Sequence, residues 1–516
     1  MAARPPNLLL IMADQLGAAC LPTHGHGLVH APELTALADR ATVFERAYCP
    51  SPLCAPSRAS LLTGRLPSGT GVFDNAADMR TSLPTVTHHL RARGYYTGLA
   101  GKMHFVGPDQ LHGFEERLTT DIYPADLDWT PDWRLPPHER LPWYHTMESV
   151  LRPGVCVASM QKDYDDEVAF QAVRKLSDLA RAGPDRPFFL VASFTHPHDP
   201  WEVAPRHWDR YDDASIDLPA VRRPPRDEAD PHSRRLRDMC GIDDVDLTDE
   251  QIRSARHAYY AAISYLDDRI GEVLGALRDT GLDDDTVVVF TADHGEMLGE
   301  RGLWYKMSFF EQSVRVPLFV RVPGRPPRRV HDPVSLLDLA PTLLELSGGP
   351  AVGAGAQDLD GTSLVPLLDT HAERRSGPVL AEYLAEGVTA PAVMIRRGPH
   401  KFIACEGDPD QLYDLAEDPA ELINLADDPR LREVHTAFRE EVRARWDLEA
   451  LRQRVLASQR ERQLIVRALA QGASPSWDFE PSADGSRRYV RTRADLYELQ
   501  RRARLDAPLA ARRADP

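Results

Sequence analysis

The chain has 516 residues, 42% of them hydrophobic and 27% charged, a composition ordinary for a soluble globular protein long enough for more than one structural unit. Its formal charge of −17 opposes non-specific binding to nucleic acid and to anionic membranes, so neither is expected as a partner. No stretch approaches the roughly 20 apolar residues of a membrane span, and six cysteines in so long a chain make no disulfide framework, which predicts a reducing, cytoplasmic setting.

In chain order, "NLLLIM" (7–12) runs straight into Asp14 and Gln15 with no small-residue cleavage site, and predicts a buried first strand rather than a leader. "PLCAPSRASLLTGR" (52–65) reads as a loop entering a helix near Ala59. Cys54, the cysteine of that passage, could serve as a thiol nucleophile, a metal ligand, a disulfide half or a precursor. "PFFLVASF" (187–194), "TVVVFTAD" (286–293) and "PLFVRVP" (317–323) are near-continuous apolar runs, as in a sheet covered on both faces. Residues 200–250, rich in Asp, Arg and Pro, read as a long surface excursion. Over 256–279, Tyr259, Ile263, Leu266, Ile270, Val273, Leu274 and Leu277 recur as a helix face. The segment 333–348 reads as a second helix, closed by Gly348 and Gly349. Alternating strands and helices argue an α/β fold with a mostly parallel central sheet.

The polar "DTHAERRSG" after 361–368 marks a boundary, which divides the chain into 1–370, a smaller unit 371–470 and a tail 471–516. The smaller unit holds strand candidates in 391–405 and a charged helical stretch from about 430. The tail segment 474–491 reads as extended, with exposed aromatics.

Parallel sheets collect chemistry at the carboxyl ends of their strands. Four polar clusters sit at such ends: Asp14 with Gln15, Lys102 with His104, His196 with His198, and Asp293 with His294. A lone Asp there is more often a helix cap than a ligand, but four clusters at one topological position point to a site. Asp14, Gln15 and Asp293 offer hard oxygen donors suited to Ca²⁺ or Mg²⁺, while His294 pulls toward Mn²⁺ or Zn²⁺. Arg58, Lys102 and Lys306 are cations able to hold a tetrahedral oxyanion. A metal with several cations predicts an anionic substrate, and sulfuryl or phosphoryl transfer as the reaction class.

"CAPSRASLLTGR" (54–65) and "GYYTGLAGKMH" (94–104) match the two signatures C-x-P-S-R-x-x-x-L-T-G-R and G-Y-x-T-x-x-x-G-K-x-H, and on them the chain resembles the sulfatase family of the alkaline phosphatase superfamily. The resemblance implies an alkaline-phosphatase-like α/β fold: a large mixed, mostly parallel sheet between helices, a smaller C-terminal α+β domain and an extended C-terminal tail. It implies that Cys54 is oxidised to Cα-formylglycine by a formylglycine-generating enzyme that reads Pro56 and Arg58. One hydroxyl of the hydrated aldehyde would then attack sulfur, and the second would expel sulfate and restore the aldehyde. By position, Asp14, Gln15, Asp293, His294 and residue 54 would ligate the metal. Arg58 would hold the formylglycine hydroxyls, and Lys102 and Lys306 the sulfate oxygens. His104 and His198 would share the acid and base steps, in an order the sequence leaves open. Many arylsulfatases carry Asp-Asp and Asp-Asn at the two metal pairs, where this chain has Asp-Gln and Asp-His; Ca²⁺ is the family-based choice, with Mn²⁺ or Mg²⁺ as alternatives.

Residues 101–133, 193–201 and the tail "WDFEP…RRYVR" look like the branch of that family that cleaves choline sulfate. A quaternary ammonium is recognised by aromatic faces and a nearby carboxylate. Three of the eight tryptophans (Trp129, Trp133, Trp143) cluster beside Tyr144 and His145. The branch resemblance implies Trp129, His145, Glu386 and Asn75 as the choline-binding group, Glu382 being the competing carboxylate. It also implies a homo-oligomer, a tetramer, associated through the tail. The rival readings are a phosphonate monoester or phosphodiester hydrolase of the same superfamily, and a non-catalytic binder of quaternary amines.

Overall fold

The computed structural model describes residues 4–136, 138–183, 185–349, 359–369, 377–482 and 495–505. Its centre is an eight-stranded sheet built from β1 (Asn7–Ala13), β2 (Thr42–Phe44), β3 (Tyr96–Gly101), β4 (Glu116–Arg117), β5 (Phe188–Ser193), β6 (Thr286–Ala292), β7 (Leu318–Arg321) and β8 (Arg328–Val330), in the spatial order β8-β2-β7-β6-β1-β5-β3-β4. Only β7 runs against its neighbours. Every residue of β1, β5 and β6 is buried, so both faces of these strands are covered.

Two helix groups supply the cover. The first pairs α2 (Met160–Ala182) with the 31-residue α3 (Asp249–Asp279). The second packs α1 (Cys54–Thr63) against α4 (Leu339–Leu346). α3 extends the sequence-predicted helix by two turns at its start, because Thr248 and Gln251 form a capping box.

A second, antiparallel sheet follows, β9 (Val379–Tyr383), β10 (Ala392–Arg397), β11 (His400–Cys405) and β12 (Gln411–Asp414) in that order. Behind it lie α5 (Arg432–Arg445) and α6 (Leu448–Leu469). Among the described residues no helix is long and apolar enough to cross a membrane.

Four expectations change. α1 begins at Cys54 and not near Ala59: Leu53 is the extended N-cap residue, and Pro56 falls in the first turn, where a missing N–H costs nothing. The run 333–348 is split. Val334 and Ser335 pair with Ala47 and Tyr48, and Ser335 with Asp338 then forms a capping box that delays α4 to Leu339. The excursion 200–250 contains a ten-residue helix, Pro231–Cys240, capped by Asp230. In the tail, residues 471–482 have no regular structure, but Asp495 caps a short helix, α7 (Leu496–Ala503). Trp477 and Phe479 are half-buried rather than exposed, with Phe479 against Arg117. The remainder of 474–491, from 483, lies outside the described residues.

Candidate active site

The parallel strands β1, β3, β5 and β6 deliver their carboxyl-end residues to one point, and α1 aims Cys54 into it. Cys54 Sγ lies 3.2 Å from His294 Nε2, 3.5 Å from Lys306 Nζ and 3.9 Å from Asp14 Oδ1. Arg58, one turn along α1, is fully buried. Its Nε donates to Asp293 Oδ2 at 2.8 Å, Nη2 to Asp14 Oδ2 at 3.2 Å, and Nη1 to the Lys102 carbonyl at 2.7 Å and to Ser193 Oγ at 2.8 Å. Arg58 therefore ties four strand ends together. Lys102 Nζ makes a close ion pair with Asp14.

The backbone pays a conformational cost here. Gln15, His104, Tyr305 and Met307 all have positive φ (60°, 56°, 68° and 75°), a concentration of left-handed non-glycine residues typical of functional sites. Gly295 is required by close approach, since a Cβ on it would sit 2.0 Å from the Gln312 carbonyl.

Charge is dense and dry. Burial and the Cys54 sulfur would raise the Asp14 carboxyl, but Lys102, His198 and Arg58 hold it at about 2. Burial would likewise raise the Cys54 thiol, yet Lys102, Lys306 and His294 draw it well below its ordinary value. Asp14, Cys54, Asp293 and His294 can each place a donor atom within 4.8 Å of the others, all four buried. With the Gln15 amide oxygen 2.7 Å from Lys306 Nζ, the donors are carboxylate, amide and imidazole, a set that fits a divalent cation.

His198 has a defined tautomer. Nδ1 donates to the Asp199 carbonyl at 2.6 Å, which leaves Nε2 to accept from Lys306 Nζ at 2.6 Å. His104 is buried with its ring against the Cys54 side chain, and burial lowers its pKa although Cys54 opposes the shift. His196 is not part of the chemistry: Nδ1 is engaged with Asp165 at 2.7 Å.

A cavity of about 240 Å³ opens from this point, lined among others by Cys54, Asn75, His104, His145, His198 and Lys306. Its far wall is aromatic. Trp129 stacks on Trp143 with centroids 6.4 Å apart, and lies 5.4 Å from Tyr123 and 6.1 Å from His104. His145 stacks on Tyr305 at 4.4 Å. Glu386 closes the wall; its Oε2 is buried without a partner, and burial, helped by Asp74, raises its pKa to about 7. Glu382 is committed elsewhere, accepting from Ser68 Oγ at 2.7 Å and Trp446 Nε1 at 2.6 Å. Asn75 Oδ1 accepts from the Ala55 N–H at 3.0 Å, capping the first turn of α1.

Of the residues singled out from the sequence, His196 and Glu382 are engaged elsewhere and Trp133 turns away, its Nε1 bonded to the Ala385 carbonyl at 2.7 Å; the others meet around Cys54 and its cavity. Tyr123, Met160, Gln161 and Asp199 also line the cavity. None carried a sequence signal except Asp199, which adjoins His198.

The chain matches the family described as Sulfatase over residues 6–349, N-sulphoglucosamine sulphohydrolase, C-terminal over 299–447, and Choline sulfatase enzyme C terminal over 453–505. It is 49% identical over 506 residues to the choline-sulfatase of Rhizobium meliloti (strain 1021), covering 97% of this chain and 98% of that one. It is 29% identical to the iduronate 2-sulfatase of Homo sapiens, over 66% of this chain and 69% of that one. Among solved structures, the phosphonate monoester hydrolase of Agrobacterium radiobacter superposes with a TM-score of 0.68 at 26% identity, covering 87% of this chain and 96% of that one. The match over residues 6–349 spans the strand ends, Arg58 and the donor cluster described above, and the chain belongs to the sulfatase family.

Proposed function

We propose that this protein hydrolyses choline-O-sulfate to choline and sulfate. The observation that carries the reading is one cavity lined by Glu386, whose Oε2 has no partner among the described residues, by the Trp129–Trp143 stack and by the buried cation Lys306. One end suits a quaternary ammonium and the other a sulfate. The 49% identity to the Rhizobium enzyme supports the same substrate.

Cys54 is the precursor of a formylglycine made by a formylglycine-generating enzyme. A divalent ion, Ca²⁺ with Mn²⁺ or Mg²⁺ as alternatives, would be held by Asp14, Gln15, Asp293, His294 and residue 54, and would supply positive charge that acidifies the hydroxyls at position 54. Arg58 orients those hydroxyls. Lys102 and Lys306 neutralise sulfate oxygens during transfer. His198 Nε2 accepts from the Lys306 ammonium, so the Lys306–His198 pair is the proton source for the leaving alkoxide, the proton coming from Lys306; such a general acid contributes about 10²–10⁴-fold. His104, whose ring interacts with the Cys54 side chain and whose pKa burial lowers, is the base for the step that expels sulfate.

The alternative, a phosphonate monoester or phosphodiester hydrolase, shares the fold, but the aromatic and carboxylate wall favours a cationic alcohol. Side-by-side kcat/KM values for choline sulfate and a phosphate diester test the choice; a preference for the diester overturns it. Peptide mass spectrometry around residue 54 tests the nucleophile, because the aldehyde has lost the sulfur. An unmodified thiol throughout would leave a quaternary-amine binder.

Three further readings go with this one. The units are 1–370, 371–470 and 471–516. The tail associates the chains into a homo-oligomer, a tetramer, which light scattering on a chain truncated at about residue 470 would dissociate. The setting is cytoplasmic, consistent with six unpaired cysteines.

A further inference from the structure

Gln15 differs from the other donors of the candidate metal set in having two chemically opposite side-chain ends. Its amide oxygen can ligate a cation, whereas the amide nitrogen carries only donors. The orientation is therefore decisive, and the surroundings dictate it. Gln15 Nε2 donates to Glu296 Oε2 at 2.5 Å and faces Asp199 Oδ1 at 3.4 Å, while Oε1 accepts from Lys306 Nζ at 2.7 Å. Turning the amide over would oppose two acceptors at Glu296 and two donors at Lys306.

Glu296 is itself fixed. It is 1% exposed, and its Oε1 accepts from the backbone N–H groups of Leu298 at 2.8 Å and Tyr305 at 2.6 Å. Those bonds leave Oε2 aimed at residue 15 alone. The backbone of Gln15 is held in the same frame, its N–H donating to Asp293 Oδ1 at 3.1 Å.

We propose that Glu296 is a positioning residue that sets the Gln15 amide with its oxygen toward the cation site. The pairing also gives a reason for an amide where many arylsulfatases have a carboxylate. A carboxylate at position 15 would meet the Glu296 carboxyl at hydrogen-bond distance in a dry pocket and would have to share a proton with it, whereas the amide supplies the donor itself. This inference rests on the metal reading above.

The test is a binding measurement on full-length, metal-depleted protein, titrated calorimetrically with Ca²⁺ alone and Mn²⁺ alone. Glu296→Gln keeps the shape and the two backbone bonds but presents an amide nitrogen to Gln15, which then turns its own oxygen away from the cation. Its affinity should fall by about tenfold or more, the range found when an outer partner of a ligand is lost. The exchanged pair Gln15→Glu/Glu296→Gln restores one donor facing one acceptor, and should bind within about threefold of wild type, the two sites being coupled. A merely structural role for Glu296 would not be rescued by the exchange. If Glu296→Gln binds as wild type does, the inference fails; it fails equally if the exchanged pair stays as weak as the single variant. Should the single variant not fold, the exchanged pair is compared with wild type directly, and a loss beyond about tenfold overturns the proposal. Wild-type protein that takes up neither ion overturns the metal reading itself and this inference with it.

Discussion

Glu386 is buried, its Oε2 has no hydrogen-bond donor among the described residues, and burial raises its pKa to about 7. A carboxyl whose folded pKa is raised is neutral below that value and anionic above it. Attraction for a quaternary ammonium is therefore expected above about pH 7 and lost as pH falls through it. The ratio of kcat/KM for choline sulfate to that for an uncharged alkyl sulfate should drop on going from about pH 8 to about pH 6, with Glu386→Gln abolishing the dependence. A flat ratio in the parent protein would remove Glu386 from recognition. The stability this group itself contributes has the opposite pH dependence, full below its unfolded pKa and lost as pH rises through about 7. Choline favours the anionic form, and added choline should therefore raise Tm more at alkaline than at acid pH. In the proposed reading Trp129 would face the same cation through its ring. Trp129→Ala is expected to raise KM for choline sulfate by on the order of tenfold while leaving a small aryl sulfate nearly unaffected. Equal losses on both substrates would sink the aromatic-wall reading.

At the scale of elements, α6 acts on the site without touching it. Arg462 forms a two-pronged ion pair with Asp74, both contacts 2.7 Å, and reaches Thr130 Oγ1 at 3.1 Å. One turn earlier, Gln459 Oε1 accepts from the Trp133 N–H at 3.0 Å. The helix thereby clamps two loops, one carrying Asn75 and the other Trp129. Removing one partner of a buried pair costs about 3–5 kcal/mol, and here the loosened parts are cavity walls. Arg462→Ala should lower Tm and raise KM for choline sulfate, with kcat for a small aryl sulfate retained; Arg462→Lys, lacking the planar fork, should restore only part. A variant that loses kcat on both substrates equally would show that the helix supports the whole scaffold instead.

For the whole molecule, the small sheet braces the catalytic machinery through a buried lysine. Lys401, on β11, is fully buried between Glu421 at 2.6 Å and Glu311 at 2.8 Å, and donates to the Phe309 carbonyl at 2.7 Å. Phe309 and Glu311 lie just beyond Lys306, so the second sheet anchors the segment that carries this buried cation of the candidate site. Lys401→Met leaves two carboxylates buried without their counter-ion, and should cost about 3–5 kcal/mol. Thermal unfolding should show a fall of about 3–5 °C, with kcat lowered in the folded fraction. An unchanged Tm would mean the cluster adds nothing net.

Much of the fold and most of the site were legible before any coordinates. Near-continuous apolar runs specify strands buried on both faces, and polar residues at their ends must meet, because parallel strands share one carboxyl edge. Asp14, Lys102, His198, Asp293 and their neighbours were readable on that ground, and the Cys-x-Pro-Ser-Arg pattern identified residue 54. The start of α1 at Cys54 was hidden because proline looks like a helix breaker unless its place in the first turn is known. The split of 333–348 was hidden because strand pairing with Ala47 and Tyr48 is a long-range contact. Tertiary structure alone decided which carboxylate faces the cavity, since Glu382 and Glu386 differ only in the donors that packing brings to the first. It alone turned Trp133 inward and Trp129 outward. The sequence by itself determined which chemistry could be assembled, because that depends on residue type and strand-end position. Only the folded chain decided which polar atoms are left unpaired inside the cavity, because that depends on every neighbour the fold supplies.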